Sequence, residues 1–138
     1  TADSAQPSGL IWRNPGKHIT LAFGSNTTAF FSTTSTTPVV VRRFIFPGSS
    51  VIGTPTAIYA TGNNGNNGTR GFTVSVQNIT PPNVGTVATG TFTNNTEAIL
   101  TLGTISNIPT GQAIFEITLN RSTGSSITVQ LSSIHIVF

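Results

Sequence analysis

"GFTVSVQN", residues 71–78, decides the fold class: Phe72, Val74 and Val76 share one parity, and Thr73, Ser75 and Gln77 share the other. Side chains alternate between the two faces of a strand, so this stretch reads as a half-buried antiparallel strand. "AIFEITLN", residues 113–120, repeats the pattern with Phe115, Ile117 and Leu119 inward and Glu116 and Thr118 outward. The same alternation, bounded by Gly, Pro, Asn and Ser, predicts strands near 19–23, 28–33, 38–46, 55–61, 71–79, 86–93, 97–105, 113–120 and 126–137. Pro47-Gly48, Pro81-Pro82, Asn94-Asn95, Pro109-Thr110-Gly111 and Thr123-Gly124 mark turns between them, and no segment shows helical periodicity. In "SITVQLSSIHIVF", residues 126–138, the apolar parity switches at Ser132-Ser133, which predicts a β-bulge or a change of sheet there.

Composition agrees with an all-β chain. Of 138 residues, 25 are Thr, 14 Ser and 12 Asn, while the helix formers Lys, Glu and Met number one, two and none. The length fits one domain. About eight or nine short strands predict an antiparallel β-sandwich of jelly-roll type, with an immunoglobulin-like order as the alternative. Residues 1–16 lack alternation and read as an extended N-terminal arm, and 17–138 as the jelly-roll domain. Within the arm, Leu10, Ile11 and Trp12 form an apolar anchor for docking.

Cysteine is absent, so no disulfide or thiolate site is available, and no apolar run reaches the roughly 20 residues of a membrane span. The net charge of +3 comes from six scattered basic residues against three acidic ones. Binding a phosphate backbone takes a cluster of basic contacts, so no nucleic-acid partner is expected.

Sheet proteins commonly guard open edges with charge, and this chain has nine charged residues in all. Long uncharged stretches such as "VGTVATGTFT", residues 84–93, would leave adhesive edges on an isolated monomer. The expected partner is therefore a second copy, as a trimer or filament, through edge-strand pairing and addition of the arm to a neighbour's sheet.

Chemistry-bearing residues are few. Acid–base catalysis would have to draw on Asp3, Glu97, Glu116, His18 and His135, and no G-x-S-x-G turn occurs, so no enzyme activity and no cofactor are expected. No His-x-His or carboxylate cluster supports a metal at His18 or His135. Adjacent Arg42 and Arg43 must point to opposite sides of a regular strand. One of them is then expected to face an interior, a sandwich end or a neighbouring subunit, paired with Glu97 or Glu116. The loop "GNNGNNG", residues 62–68, closes hairpins readily through its Asn-Gly pairs. Its amides at Asn63, Asn64, Asn66 and Asn67, with Tyr59 or Trp12 as a stacking face, are also candidate glycan contacts. Asn26, Asn67, Asn78, Asn94 and Asn120 stand in N-x-S/T sequons and are candidate glycosylation sites outside a cell, spore or virion.

The second half, with "LGTISNIPTG" at residues 102–111 as its most distinctive piece, resembles the globular heads of exosporium collagen-like glycoproteins and spore-appendage subunits of spore-forming bacilli. That resemblance implies a tumour-necrosis-factor-like jelly roll, usually trimeric, with a surface-coat role and no enzyme site. No Gly-x-y repeat and no cysteine accompany it, so neither a collagen stalk nor a disulfide-linked appendage follows. Viral capsid and fibre heads share this composition.

Overall fold

The computed structural model describes residues 17–24, 28–66, 68–122 and 127–138. The chain is mostly strand: β1 (His18–Ala22), β2 (Phe31–Thr33), β3 (Val39–Phe46), β4 (Ala57–Asn63), β5 (Phe72–Asn78), β6 (Gly85–Phe92), β7 (Ala98–Thr101), β8 (Ala113–Arg121) and β9 (Val129–Val137). They form an antiparallel sandwich. The front sheet runs β1-β9-β4-β7 with β2 also on β9, and the back sheet runs β3-β8-β5-β6. The pairings are nested: β1 lies on β9, β3 on β8, β4 on β7 and β5 on β6.

The core lies between the sheets. Phe72, Val74 and Val76 of β5 and Phe115, Ile117 and Leu119 of β8 are fully buried, and they meet Ile58 and Ala60 of β4 and Leu131, Ile134 and Ile136 of β9. Phe46 stacks on Phe115 with centroids 4.6 Å apart, and Phe44 meets the same ring edge-on at 5.7 Å. Each fully buried Val, Leu, Ile or Phe side chain among them contributes about 1.5–3 kcal/mol through removal from water.

The parity switch in the last strand is a bulge. Thr61 pairs with Ser133 and Gly62 with Leu131, so Ser132 is the extra residue. The partner on the other side of β9 changes at the same place, from β2 opposite 129–131 to β1 opposite 133–137. Inserting one residue lets Val129 and Leu131, and then Ile134 and Ile136, all face the core.

A second bulge lies just before the two arginines. Val40 pairs with Thr118 and Arg42 with Ile117, leaving Val41 unpaired. Beyond it alternation resumes: Arg42 lies opposite the core residue Ile117 and Arg43 opposite Glu116, so the two point to opposite sides, Arg42 toward the margin of the core and Arg43 outward, and both keep solvent exposure. The segment expected to be one strand over 97–105 is also divided. Ala98–Thr101 forms β7, and the following residues cross to the back sheet and strap the open edge of β6. Gly103 and Ser106 donate backbone N–H to the carbonyls of Thr89 and Val87, each at 2.9 Å, and the Asn107 amide donates to Thr86 O at 2.8 Å. The "VGTVATGTFT" edge is thus covered by its own chain. One helical turn, α1 (Ser49–Ile52), sits between Gly48 and Gly53, whose φ values of 104° and 100° suit glycine. Four residues are too few to show a helical period.

Candidate functional site

The front sheet carries a largely apolar groove on its outward side. Register places its members: Tyr59 of β4 and Thr20 of β1 flank His135 of β9, Val137 lies between His18 and Ala57, and Thr61 lies between Ser133 and Ile99. His18, Tyr59, Thr61, Ile99, His135 and Val137 line an open groove of about 440 Å³. Ile99 projects at its β7 side with 76% of its surface exposed.

Hydroxyls fix the imidazole of His135 in this surface. Its Nδ1 is 3.1 Å from Thr20 Oγ1, its Nε2 is 3.2 Å from Ser133 Oγ, and Ser133 in turn lies 2.6 Å from Thr61 Oγ1. Both ring nitrogens are therefore engaged along the sheet, and the ring face is left as part of the groove. Glu97, at the groove margin, receives the Asn63 amide at 2.9 Å and the Ser132 hydroxyl rather than a histidine.

The outward side of the back sheet is different. Its hydroxyls satisfy one another in rows, Thr73 with Thr91 at 3.0 Å and Ser75 with Thr89 at 2.7 Å, and Thr86 donates to Gln77 at 3.2 Å. Arg43 Nε pairs with Glu116 Oε2 at 2.8 Å on this side, whereas Arg42 turns the other way and lies over the buried Phe23 ring at 5.6 Å. Glu116 thus meets Arg43, while Glu97 stands on the other sheet with Asn63.

The asparagine loop is built inward. Asn64 is fully buried, and its amide donates to the carbonyls of Gly68, Arg70 and Thr93 at 3.0, 3.0 and 3.2 Å. Asn63 accepts the Gly65 N–H on Oδ1 at 2.7 Å, and Asn66 adopts a positive φ of 64°. These residues hold the turn that carries the chain from β4 of the front sheet to β5 of the back sheet, so the loop does not close the hairpin expected of it, and Tyr59 is grouped with His18 and His135 instead. Among the sequons, Asn78 is buried and donates to Asn83 O and Asn107 O, a position where a glycan would have to displace the turn. Asn94 donates to Gly62 O and Thr96 O, and Asn120 to Arg121 O. Leu10, Ile11, Trp12, Asn26 and Asn67 lie outside the described residues.

Ile99, Val137 and Thr61 were not singled out from sequence. The available signal was an apolar residue on the polar parity of an otherwise alternating strand, as Val137 is beside Ile134 and Ile136. Among the described residues no helix is long and apolar enough to cross a membrane. Comparison of the chain with protein families, curated proteins and solved structures found no match.

Proposed function

We propose that the chain is a self-assembling structural subunit of an extracellular or surface filament, coat or particle, on a cell, spore or virion. The observation that carries this reading is the uncharged, apolar groove on the front sheet, set against a back sheet whose hydroxyl rows are satisfied. Soluble monomers rarely keep a contiguous apolar patch on a regular sheet face, and such patches mark contact surfaces. A second copy is the occupant this composition favours, because nine charges in 138 residues leave little to repel one.

The architecture proposed for the subunit is a jelly roll. First-with-last nesting of β1 on β9, β3 on β8, β4 on β7 and β5 on β6 supports it, as a long hairpin rolled into two sheets produces this order. Face contact takes precedence over edge pairing as the mode of assembly. The β6 edge is strapped, and β3 carries Arg42, Arg43 and a bulge, devices that discourage strand addition. The arm, residues 1–16 with Leu10, Ile11 and Trp12, adds a secondary contact to a neighbour.

Light scattering of the full-length chain is expected to give a mass well above one subunit. Tyr59→Arg places a charge in the proposed contact and is expected to weaken association roughly 30-fold or more, the scale of an interface hot spot, with the circular dichroism spectrum unchanged. Deleting residues 1–16 is expected to weaken assembly without unfolding the domain. A wild-type chain that stays monomeric at millimolar concentration would overturn the reading.

A glycan-binding head is the second reading, favoured by Tyr59 and two histidines sharing one groove. Saturable binding on a glycan array that Tyr59→Ala abolishes, in a chain that does not assemble, would favour it over the first.

A further inference from the structure

We infer that successive copies stack front to back, the groove of one receiving the Ile45–Ile114 pair of the next, so that the contact propagates as an open filament. The inference rests on the self-assembly reading and adds to it the second surface, the polarity and the charge register.

The outward face of the back sheet is mostly polar, with Val40 of β3 exposed toward one end and a pair of isoleucines at the other. There Ile45 of β3 and Ile114 of β8 are direct partners in register, 61% and 44% exposed, beside a shallow hollow of about 300 Å³ that Thr80 and Gln112 also line. Large aliphatic side chains with this exposure leave much of their apolar surface in water within their own subunit. The two faces complement each other as shapes. The front presents a groove with Ile99 standing at its side, and the back presents a hollow with Ile45 standing at its side.

Charge supplies the register. Glu97 is exposed two residues from Ile99, and Arg43 lies two residues from Ile45 with 60% of its side chain exposed. Two residues of extended chain span about 7 Å in either case. Seating the isoleucines against each other therefore brings Arg43 of one copy within reach of Glu97 of the next. The reverse arrangement, front against front, would leave Ile45 and Ile114 in water.

Because the two surfaces lie on opposite faces of the sandwich, the contact is heterologous and each added copy continues in the same direction instead of closing on the first. Sheets pack about 10 Å apart, so a two-sheet subunit stacked in this way has an axial repeat of about 20 Å.

Single-face variants test this. Ile99→Arg disables the groove and Ile45→Arg disables the isoleucine pair, and both sites are exposed enough for the domain to fold unchanged. Each variant alone is expected to be monomeric by light scattering. Mixed in equal amounts they are expected to form a dimer and nothing larger, since one intact groove and one intact isoleucine pair remain. Glu97→Arg is expected to weaken wild-type assembly about tenfold, with the loss shrinking as salt is raised. Normal assembly of Ile45→Arg, or a mixture that stays monomeric, would overturn the stacking while leaving the self-assembly reading intact. An unaffected Glu97→Arg would overturn the charge register. A monomeric wild-type chain would remove both this inference and the reading beneath it.

Discussion

Asn64 shows how a polar side chain can serve this fold as a core residue. Its buried amide carries donors into a place where three carbonyls, from Gly68, Arg70 and Thr93, converge. Asn64→Ala removes those donors and leaves buried acceptors unmatched, so a loss of about 1–3 kcal/mol in urea unfolding is expected. A change below about 0.5 kcal/mol, the range of neutral surface substitutions, would count against this account. Asparagine beside glycine announces a turn, and a turn after β4 was legible from that alone, although not that it crosses from the front sheet to the back instead of closing a hairpin. That the amide points inward was not legible, because it depends on Thr93 arriving from β6, 29 residues further along the chain. Arg42 and Arg43 make the same point. Alternation sends one of them toward the core side, and the unpaired Val41 decides that it is Arg42, on the parity of Phe44 and Phe46, with Arg43 outward beside Glu116.

Among the elements, β5 and β8 were the most legible because each is flanked on both sides in the back sheet and so keeps a strict two-residue period. The stretch after β7 was the least. Its residues continue to look extended, yet Gly103 and Ser106 leave the front sheet to hydrogen-bond β6. Sequence period reports the local conformation of a strand and is silent about which sheet receives its backbone groups. The strap has a measurable consequence. Ser106→Pro deletes the N–H that reaches Val87 O and the hydroxyl that reaches Thr86 O. In the monomeric Ile99→Arg background, this substitution is expected to raise aggregation, seen as thioflavin-positive growth, by uncovering a long edge without charges. Growth equal to that of the Ile99→Arg chain alone would show that the strap is not what keeps β6 from pairing.

For the whole molecule, an all-β antiparallel sandwich was legible from alternation and turns, whereas the groove was not. His18, Tyr59, Ile99 and His135 come from four strands spread over 118 positions, and only the order β1-β9-β4-β7 assembles them. The outward direction of each could be read singly, but their neighbours could not. The nested pairing that builds the groove also joins the beginning of the sandwich to its end: the Phe138 N–H donates to Lys17 O at 3.0 Å. Whatever precedes Lys17 and whatever follows Phe138 must leave from one corner. The domain is in effect a loop of chain with a removable break, and the break need not be where it is. A permuted chain that links 138 to 17 with a few glycines and opens at the exposed turn near Asn95 is expected to unfold as cooperatively as the original in a thermal melt. If it does, cargo could be hung from a new corner of the subunit while both stacking faces stay bare.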